Sequence, residues 1–425
     1  MAEANRRKFL RGVAATVPVA AALSNFRAQA VPLRKKVKIT DVKMMLGKTT
    51  ANPTNWIKIE SDAGLSGIGE AYWGRGVKDV VLGYFREMLI GEDPLDVDRH
   101  FHTMLRRLGG AGAIAGVTVT AASGVEIALW DLAGKILGVP AVKLLGGKFR
   151  DGVRAYWTES PKDFLDPASC REFAAKIKGH PFGITAVKSD ADGFARKYDP
   201  EFKEPGHDEF NRNLTRRDLE RIVRGFTNLR EAMGDAIDIA VHCHWNYAWP
   251  DALALARAVD PIKPIWLEDP MTVDFSDSWV KLTAASPVPI LMGENLYRRD
   301  GFKDFIIKGG CHMIHIDIPK AGGLLESKKI ADLAELFAIP VCAHLAGSPV
   351  AFVASAHCAA AIPDFRLQEF SPGRVDPLDW AKIIRYDGPI IKDGKIRILD
   401  KPGFGLELNE DYVRTLLLPG ETWWG

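Results

Sequence analysis

His242, in AVHCHWNY, begins a regular ladder of polar residues. Glu268 follows 26 residues later in IWLEDP, and Glu294 a further 26 later in ILMGEN. Asp317 in MIHIDIPKAGG, His344 in IPVCAHLAGSP and Glu369 in RLQEF continue it. Carboxylates and imidazoles are the side chains that exchange protons and bind cations. Each of these six closes a short apolar run that reads as a buried strand, and helical stretches separate the runs. Parallel strands of a closed β/α barrel would deliver such groups to one mouth.

The elements that must position them are legible as a change of rhythm. From Val153 onward strand and helix alternate, with strands expected over 153–158, 184–189, 237–243, 265–268, 288–294, 313–317, 339–344 and 366–370. Helices are expected over 217–233, 325–337 and 350–361. Eight such units in roughly 230 residues fit a closed barrel. An open doubly wound sheet would need a glycine-rich phosphate turn after its first strand, and only Glu159-Ser160-Pro161 stands there. The long polar connection 190–213 lies at the mouth end and reads as a lid or interface loop.

Before the barrel, residues 31–150 read as a small α+β capping domain. Strands are expected over 36–46, 55–60 and 65–72, with Asp62-Ala63-Gly64 as a turn, then helices over 78–90, 94–108 and 117–137. The barrel is assigned 151–390, and the tail 391–425 is expected to return to the cap. The first thirty residues differ from all of this. Arg6-Arg7-Lys8 precedes the apolar run 12–23, and Ala28-Gln29-Ala30 offers a small-x-small cleavage site. This pattern resembles a bacterial twin-arginine signal, which implies a periplasmic protein with no stable membrane association after cleavage.

A chain of 425 residues, 47% hydrophobic, can bury one large core and one smaller one. The net charge of +2 and the absence of any basic block give no reason to expect a nucleic-acid partner. Cys170, Cys243, Cys311, Cys342 and Cys358 are an odd number, widely spaced and mostly within apolar runs, and read as buried thiols.

The run ALWDLAGKILGVPAVKLLGG, followed by LEDP, GEN, the Asp-x-x-Lys-x-Gly-Gly of 317–323 and His344, resembles the mandelate racemase / muconate lactonizing enzyme branch of the enolase superfamily. The resemblance implies a modified (β/α)8 barrel under an α+β cap, a homo-oligomer, and one divalent metal ion at the mouth, Mg²⁺ in most of the family. Sites of this superfamily pair a Lys or His base with Mg²⁺ that stabilises an ene-diolate. By resemblance Glu268 and Glu294 are metal ligands. The third ligand is normally an Asp, and His242 stands in its place. An imidazole suits Mg²⁺ poorly and shifts preference towards Mn²⁺, Fe²⁺ or Zn²⁺; the departure means a changed metal or a partly dismantled site.

His344 and Asp317 match the family's base and its orienting carboxylate. Glu369 matches a residue that donates to the substrate carboxylate, which requires a proton and hence a raised pKa. His244, two residues past His242, is expected to face the mouth from the same strand. In acid-sugar dehydratases similar to galactonate dehydratase a His here protonates the departing β-hydroxyl. Lys188 is expected to bind a substrate carboxylate or hydroxyl. Asp190 stands where racemases carry a second Lys and is expected to face sugar hydroxyls. Trp73 and Trp245 are expected to pack on the sugar, and Trp56 to close the pocket or serve the core. His100, His102, His180, His207, His312, His315 and His357 read as structural or solvent-facing, with His315, which alternates with Asp317, as the candidate exception.

The expected function is therefore a metal-dependent acid-sugar dehydratase, converting an aldonate or aldarate to a 2-keto-3-deoxy acid by α-proton abstraction and β-elimination of water. Two alternatives remain open. One is a racemase, epimerase or cycloisomerase using Lys188 and His344. The other is a metal-depleted sugar-acid binding protein.

Overall fold

The computed structural model describes residues 36–49, 52–199, 213–371 and 377–424. The expected leader over 1–30 and the part of the 190–213 connection that holds His207 lie outside these residues. Strands β1 (Ile39–Gly47), β2 (Thr54–Ser61) and β3 (Ser66–Ala71) form an antiparallel meander in that order. Gly64 makes the β2–β3 turn with φ of 71°. The helix Val117–Leu137 lies flush on β3 because glycines line the contact. A Cβ on Gly69 would stand 2.4 Å from the Gly124 carbonyl oxygen, and one on Gly67 2.1 Å from that of Ala128.

Eight parallel strands close the second unit. They are β4 (Gly152–Thr158), β5 (Ala186–Asp190), β6 (Asp238–His242), β7 (Leu267–Glu268), β8 (Ile290–Met292), β9 (Met313–Asp317), β10 (Val341–His344) and β11 (Phe365–Phe370). Neighbours in the chain are neighbours in the sheet, and β11 closes on β4 through Gln368–Ala155, Glu369–Tyr156 and Phe370–Trp157. All eight expected strands are present. Two are shorter than expected at the mouth: β6 stops at His242, and β8 stops at Met292 because Gly293 turns away with φ of 132°.

Side chains alternate along a strand, so the residue two positions before an inward-facing group also faces inward. Tyr156, Ala186, Ala240, Trp266, Leu291, Cys342 and Leu367 form a separate buried apolar cluster, the floor of the barrel. Lys188, His242, Glu268, His344 and Glu369 each lie two residues beyond a member of that floor. Outside, helices bury one stripe against the sheet. In Arg216–Met233 the buried apolar positions are Ile222, Phe226, Leu229 and Met233, at helical spacing.

Buried carboxylates of the cap hold the two units together. Glu126 accepts the backbone N–H groups of Leu324 (2.8 Å) and Leu325 (3.0 Å), at the start of the barrel helix Gly323–Glu335. Glu70, on β3, accepts from Ser348 N (2.8 Å) and Ala351 N (3.2 Å) and from the Ser348 hydroxyl, at the start of the helix Pro349–Ala360. Such donors have no partner within their own helix, and anions are favoured there. The tail serves both units. Residues Lys395–Arg397 pair antiparallel with the first half of β4, and further on Leu418 N donates to Leu46 O of β1 at 3.0 Å. Among the described residues no helix is long and apolar enough to cross a membrane.

Glu126→Ala would leave the Leu324 and Leu325 N–H groups buried without acceptors, a cost of about 2–4 kcal/mol at ordinary penalties for such groups. The expected result is a lower denaturation midpoint with the barrel-mouth residues untouched, read by urea unfolding of the variant beside its parent.

Candidate active site

The mouth is built from strand ends. Glu268 ends β7 with both oxygens engaged: Oε2 accepts from Trp266 Nε1 at 2.7 Å, and Oε1 from Lys188 Nζ at 2.7 Å. Lys188, on β5, is fully buried and also lies 3.2 Å from Glu369 Oε2 and 4.0 Å from Glu294 Oε2. Burial alone would depress its pKa, but the Glu268, Glu369 and Glu294 carboxylates outweigh that and raise it. Its ammonium thus holds carboxylates beneath the mouth.

His344 ends β10 beside Asp317 at the end of β9, and the two are register partners. Asp317 Oδ2 lies 2.6 Å from His344 Nδ1, so Nδ1 carries the proton and Nε2 is left for chemistry. Nε2 lies 3.5 Å from Glu294 Oε2 and 3.7 Å from Glu369 Oε2. Burial would lower the imidazole's pKa; Glu294, Glu369 and Asp317 together raise it to about 9.

Glu369 departs from expectation. Burial favours its neutral form, yet Lys188 and His344 overcome this and hold it down to about 2. Thr158 Oγ1 (2.6 Å) and Tyr156 Oη (3.0 Å) donate to it, as does Leu345 N at 3.3 Å. In this structure it is a carboxylate that accepts hydrogen bonds, not the neutral donor the resemblance implies.

His242 is buried at the end of β6. Its Nδ1 lies 3.6 Å from Asp190 Oδ1, and its Nε2 stands 3.7 Å from Glu268 Oε1 and 4.0 Å from Glu294 Oε2 with no hydrogen-bond partner. Asp190 is half exposed and held below the usual carboxylate range: burial would raise its pKa, but the neighbouring His242 outweighs it.

His244 reaches the mouth by a different route from the expected one. The strand has ended, and His244 and Trp245 both take left-handed backbone, with φ of 46° and 61°. Such conformations are sparsely populated by non-glycine residues and cluster at functional sites. Trp245 N donates to Asp269 O at 2.7 Å, and Asp269 is itself left-handed with φ of 43°. The turn lays the His244 ring over that of His242, centroids 3.8 Å apart. His244 Nδ1 is 3.0 Å from Asp192 Oδ1, and Asn246 Nδ2 donates to Asp192 Oδ2 at 3.1 Å. Burial would lower the His244 pKa, but Asp192, Asp190 and Glu294 raise it to about 9.

Of the aromatic candidates, Trp245 packs edge-on to His244 with centroids 5.8 Å apart. Trp73 is partly exposed and leans on Tyr72 at 5.4 Å, and Tyr72 in turn faces the His344 ring at 6.0 Å. Trp56 is buried and donates to Ser348 Oγ at 3.2 Å, a core role. Tyr72, Tyr156, Thr158, Asp192 and Asp269 are mouth or sub-mouth residues that sequence reasoning missed. Asp192 alone offered a signal, the repeated acid in KSDAD.

The residues present suit a cation. His242, Glu268, Asp269 and Glu294 offer ligand atoms that all lie within 4.8 Å of one another, and all four residues are buried. His242 Nε2, Asp269 Oδ2 and Glu294 Oε2 are buried without hydrogen-bond partners, a costly state that an ion among them would relieve. Burial and the Glu294 and Glu268 charges push the Asp269 pKa well up, as expected where carboxylates crowd one another.

Residues 27–146 match the family model for the mandelate racemase / muconate lactonizing enzyme N-terminal domain, and residues 155–412 match that for the enolase C-terminal domain-like fold. A D-xylonate dehydratase of Haloferax volcanii is 35% identical over 394 residues, covering 91% of this chain and 91% of that protein. A D-galactonate dehydratase of Xanthomonas oryzae pv. oryzae is 31% identical over 374 residues, covering 84% of this chain and 90% of that protein. The crystal structure of a mandelate racemase/muconate lactonizing enzyme-like protein from Rubrobacter xylanophilus is 33% identical with a TM-score of 0.83, covering 92% of this chain and 100% of that one.

Removing a negative neighbour lowers an imidazole's pKa, so Asp317→Asn is expected to move the His344 titration down from about 9. A histidine NMR pH titration of metal-free protein checks this; an unmoved His344 resonance would contradict the dyad.

Proposed function

The chain belongs to the mandelate racemase / muconate lactonizing enzyme family of enolase-like barrels, and on that premise we propose that it is a hydro-lyase acting on a sugar acid, with D-xylonate and then D-galactonate as first substrates to try. The observation that carries the reading is the His344–Asp317 pair at 2.6 Å, which leaves one imidazole nitrogen free at the mouth of a closed barrel. His344 Nε2 takes the proton from the carbon next to the substrate carboxylate, and the electron pair left behind forms the ene-diolate. As that pair returns to form the C2–C3 double bond, the C3–O bond breaks and His244 hands a proton to the departing hydroxyl, releasing water. The resulting enol tautomerises to the 2-keto-3-deoxy acid.

Asp317 keeps the His344 tautomer fixed, and Asp192 does the same for His244. His242, Glu268 and Glu294 are the residues that would hold a divalent ion, with Asp269 adjacent. When bound, such an ion supplies positive charge for the substrate carboxylate and offsets the Glu294 charge that raises the His344 pKa. Lys188 is enclosed by three carboxylates, which disfavours its use as the second base of a racemase. A homo-oligomer, exported to the periplasm by its twin-arginine leader, completes the proposal.

His344→Asn is expected to lower kcat by about 10²–10⁴-fold, the usual worth of a positioned acid or base, and to abolish deuterium exchange at C2. His244→Asn should lose dehydration while retaining that exchange. Purified protein loaded with Mg²⁺, Mn²⁺ or Zn²⁺ that yields no keto-deoxy acid from a broad aldonate and aldarate panel would sink the reading. Export has its own check: with Arg6→Lys and Arg7→Lys together, the protein should remain in the cytoplasmic fraction.

A further inference from the structure

We infer that His315 gives the cation a second imidazole ligand, from inside the barrel; this rests on the proposal that a divalent ion sits among His242, Glu268 and Glu294. His315 lies on β9 two residues before Asp317 and is fully buried. Its Nε2 is 2.9 Å from Tyr156 Oη, while the Tyr156 hydroxyl donates to Glu369 Oε2 at 3.0 Å. A hydroxyl has one proton to give. With that proton on the Glu369 side, Tyr156 must accept from His315, so the ring's hydrogen is on Nε2.

A ring that carries this one hydrogen presents its other nitrogen, Nδ1, as a bare lone pair. It is buried, has no hydrogen-bond partner, and faces Glu268 Oε1 at 3.4 Å and Glu294 Oε2 at 4.0 Å. A lone pair turned towards two carboxylate oxygens is repulsive unless something positive lies between them. His242 Nε2, also unpartnered, faces the same two oxygens at 3.7 and 4.0 Å. Two donors each about 2.1 Å from one ion stand about 3.4 Å apart at a tetrahedral angle and about 4.2 Å apart when opposite. All four separations fall within that span.

The resulting set is two imidazole nitrogens and two carboxylate oxygens. Mg²⁺ prefers oxygen ligands, whereas Mn²⁺, Fe²⁺ and Zn²⁺ accept imidazole. The His242 substitution for the usual Asp is then one half of a two-residue change, and the site is built for a transition ion. The rival occupant of Nδ1 is a proton, which would make His315 an imidazolium paired with Glu268 and leave the ion with a single nitrogen ligand.

Mn²⁺-loaded full-length protein, with the ¹⁴N couplings to the ion counted by pulsed electron paramagnetic resonance, separates these cases. Two imidazole couplings are expected in the parent, one in His315→Gln and one in His242→Gln. Mn²⁺ affinity should fall at least tenfold in His315→Gln, and the preference for Mn²⁺ over Mg²⁺ should narrow. The parent's count decides even if a variant fails to fold. One coupling in the parent overturns the inference and leaves the metal reading standing. No Mn²⁺ bound overturns both.

Discussion

Five carboxylates, Glu268, Asp269, Glu294, Asp317 and Glu369, are buried together at one end of a closed barrel, and among the described residues Lys188 is the only lysine or arginine side chain ion-paired with any of them. Like charges so placed repel, and desolvation disfavours each of them. The His344 imidazole, 3.5 Å from Glu294 Oε2 and with its pKa raised to about 9, supplies only part of the remaining compensation. The arrangement therefore has charge to spare for a cation. It also explains why Glu369 is driven towards ionisation and Asp269 away from it. Glu369 faces Lys188 and His344, whereas Asp269 faces two other glutamates.

The barrel can carry this cluster because the residues beneath it are apolar and the elements above it close the mouth. Under the polar layer, Tyr156, Ala186, Ala240, Trp266, Leu291, Cys342 and Leu367 keep the interior apolar. Trp266 does more than fill space, since its indole N–H fixes one oxygen of Glu268 and frees the other to face Lys188 and the histidines. Above, Glu70 and Glu126 fasten the cap to the starts of the two helices that follow β10 and β9, the strands ending in His344 and Asp317. Tyr72 lies two residues past Glu70 and meets His344. Cap docking and the approach to the base are thus set by the same short segment.

The ladder from His242 to Glu369 was legible in the sequence because strand period and strand end are local properties. A residue's place at the end of an apolar run needs no knowledge of its neighbours. What was hidden depends on closure. Tyr156 meets Glu369 only because β11 pairs with β4, more than two hundred residues apart in the chain. The ionisation of Glu369 and the enclosure of Lys188 follow from charges on several strands, which no single motif carries. His315 could be marked as an exception from its alternation with Asp317, but not given partners. The route of His244 was misjudged for a third reason. The strand ends at His242, and the backbone is already left-handed at His244.

That turn separates the two imidazoles proposed for proton transfer. His344 sits within a paired strand, and its carboxylate partner stands on the adjacent strand in register, so the sheet itself fixes the pair. His244 sits beyond its strand, and its partner Asp192 comes from the start of the connection after β5. What holds it is a chain of lesser contacts: the Trp245–Asp269 backbone bond, the ring of His242 beneath it, and Asn246 sharing Asp192. The His242 ring on which it rests belongs to the cation cluster. Anything that reorients His242, including an ion drawn to its Nε2, therefore also repositions the proposed acid. The proposed ion site and the proposed acid thus share one ring contact of 3.8 Å.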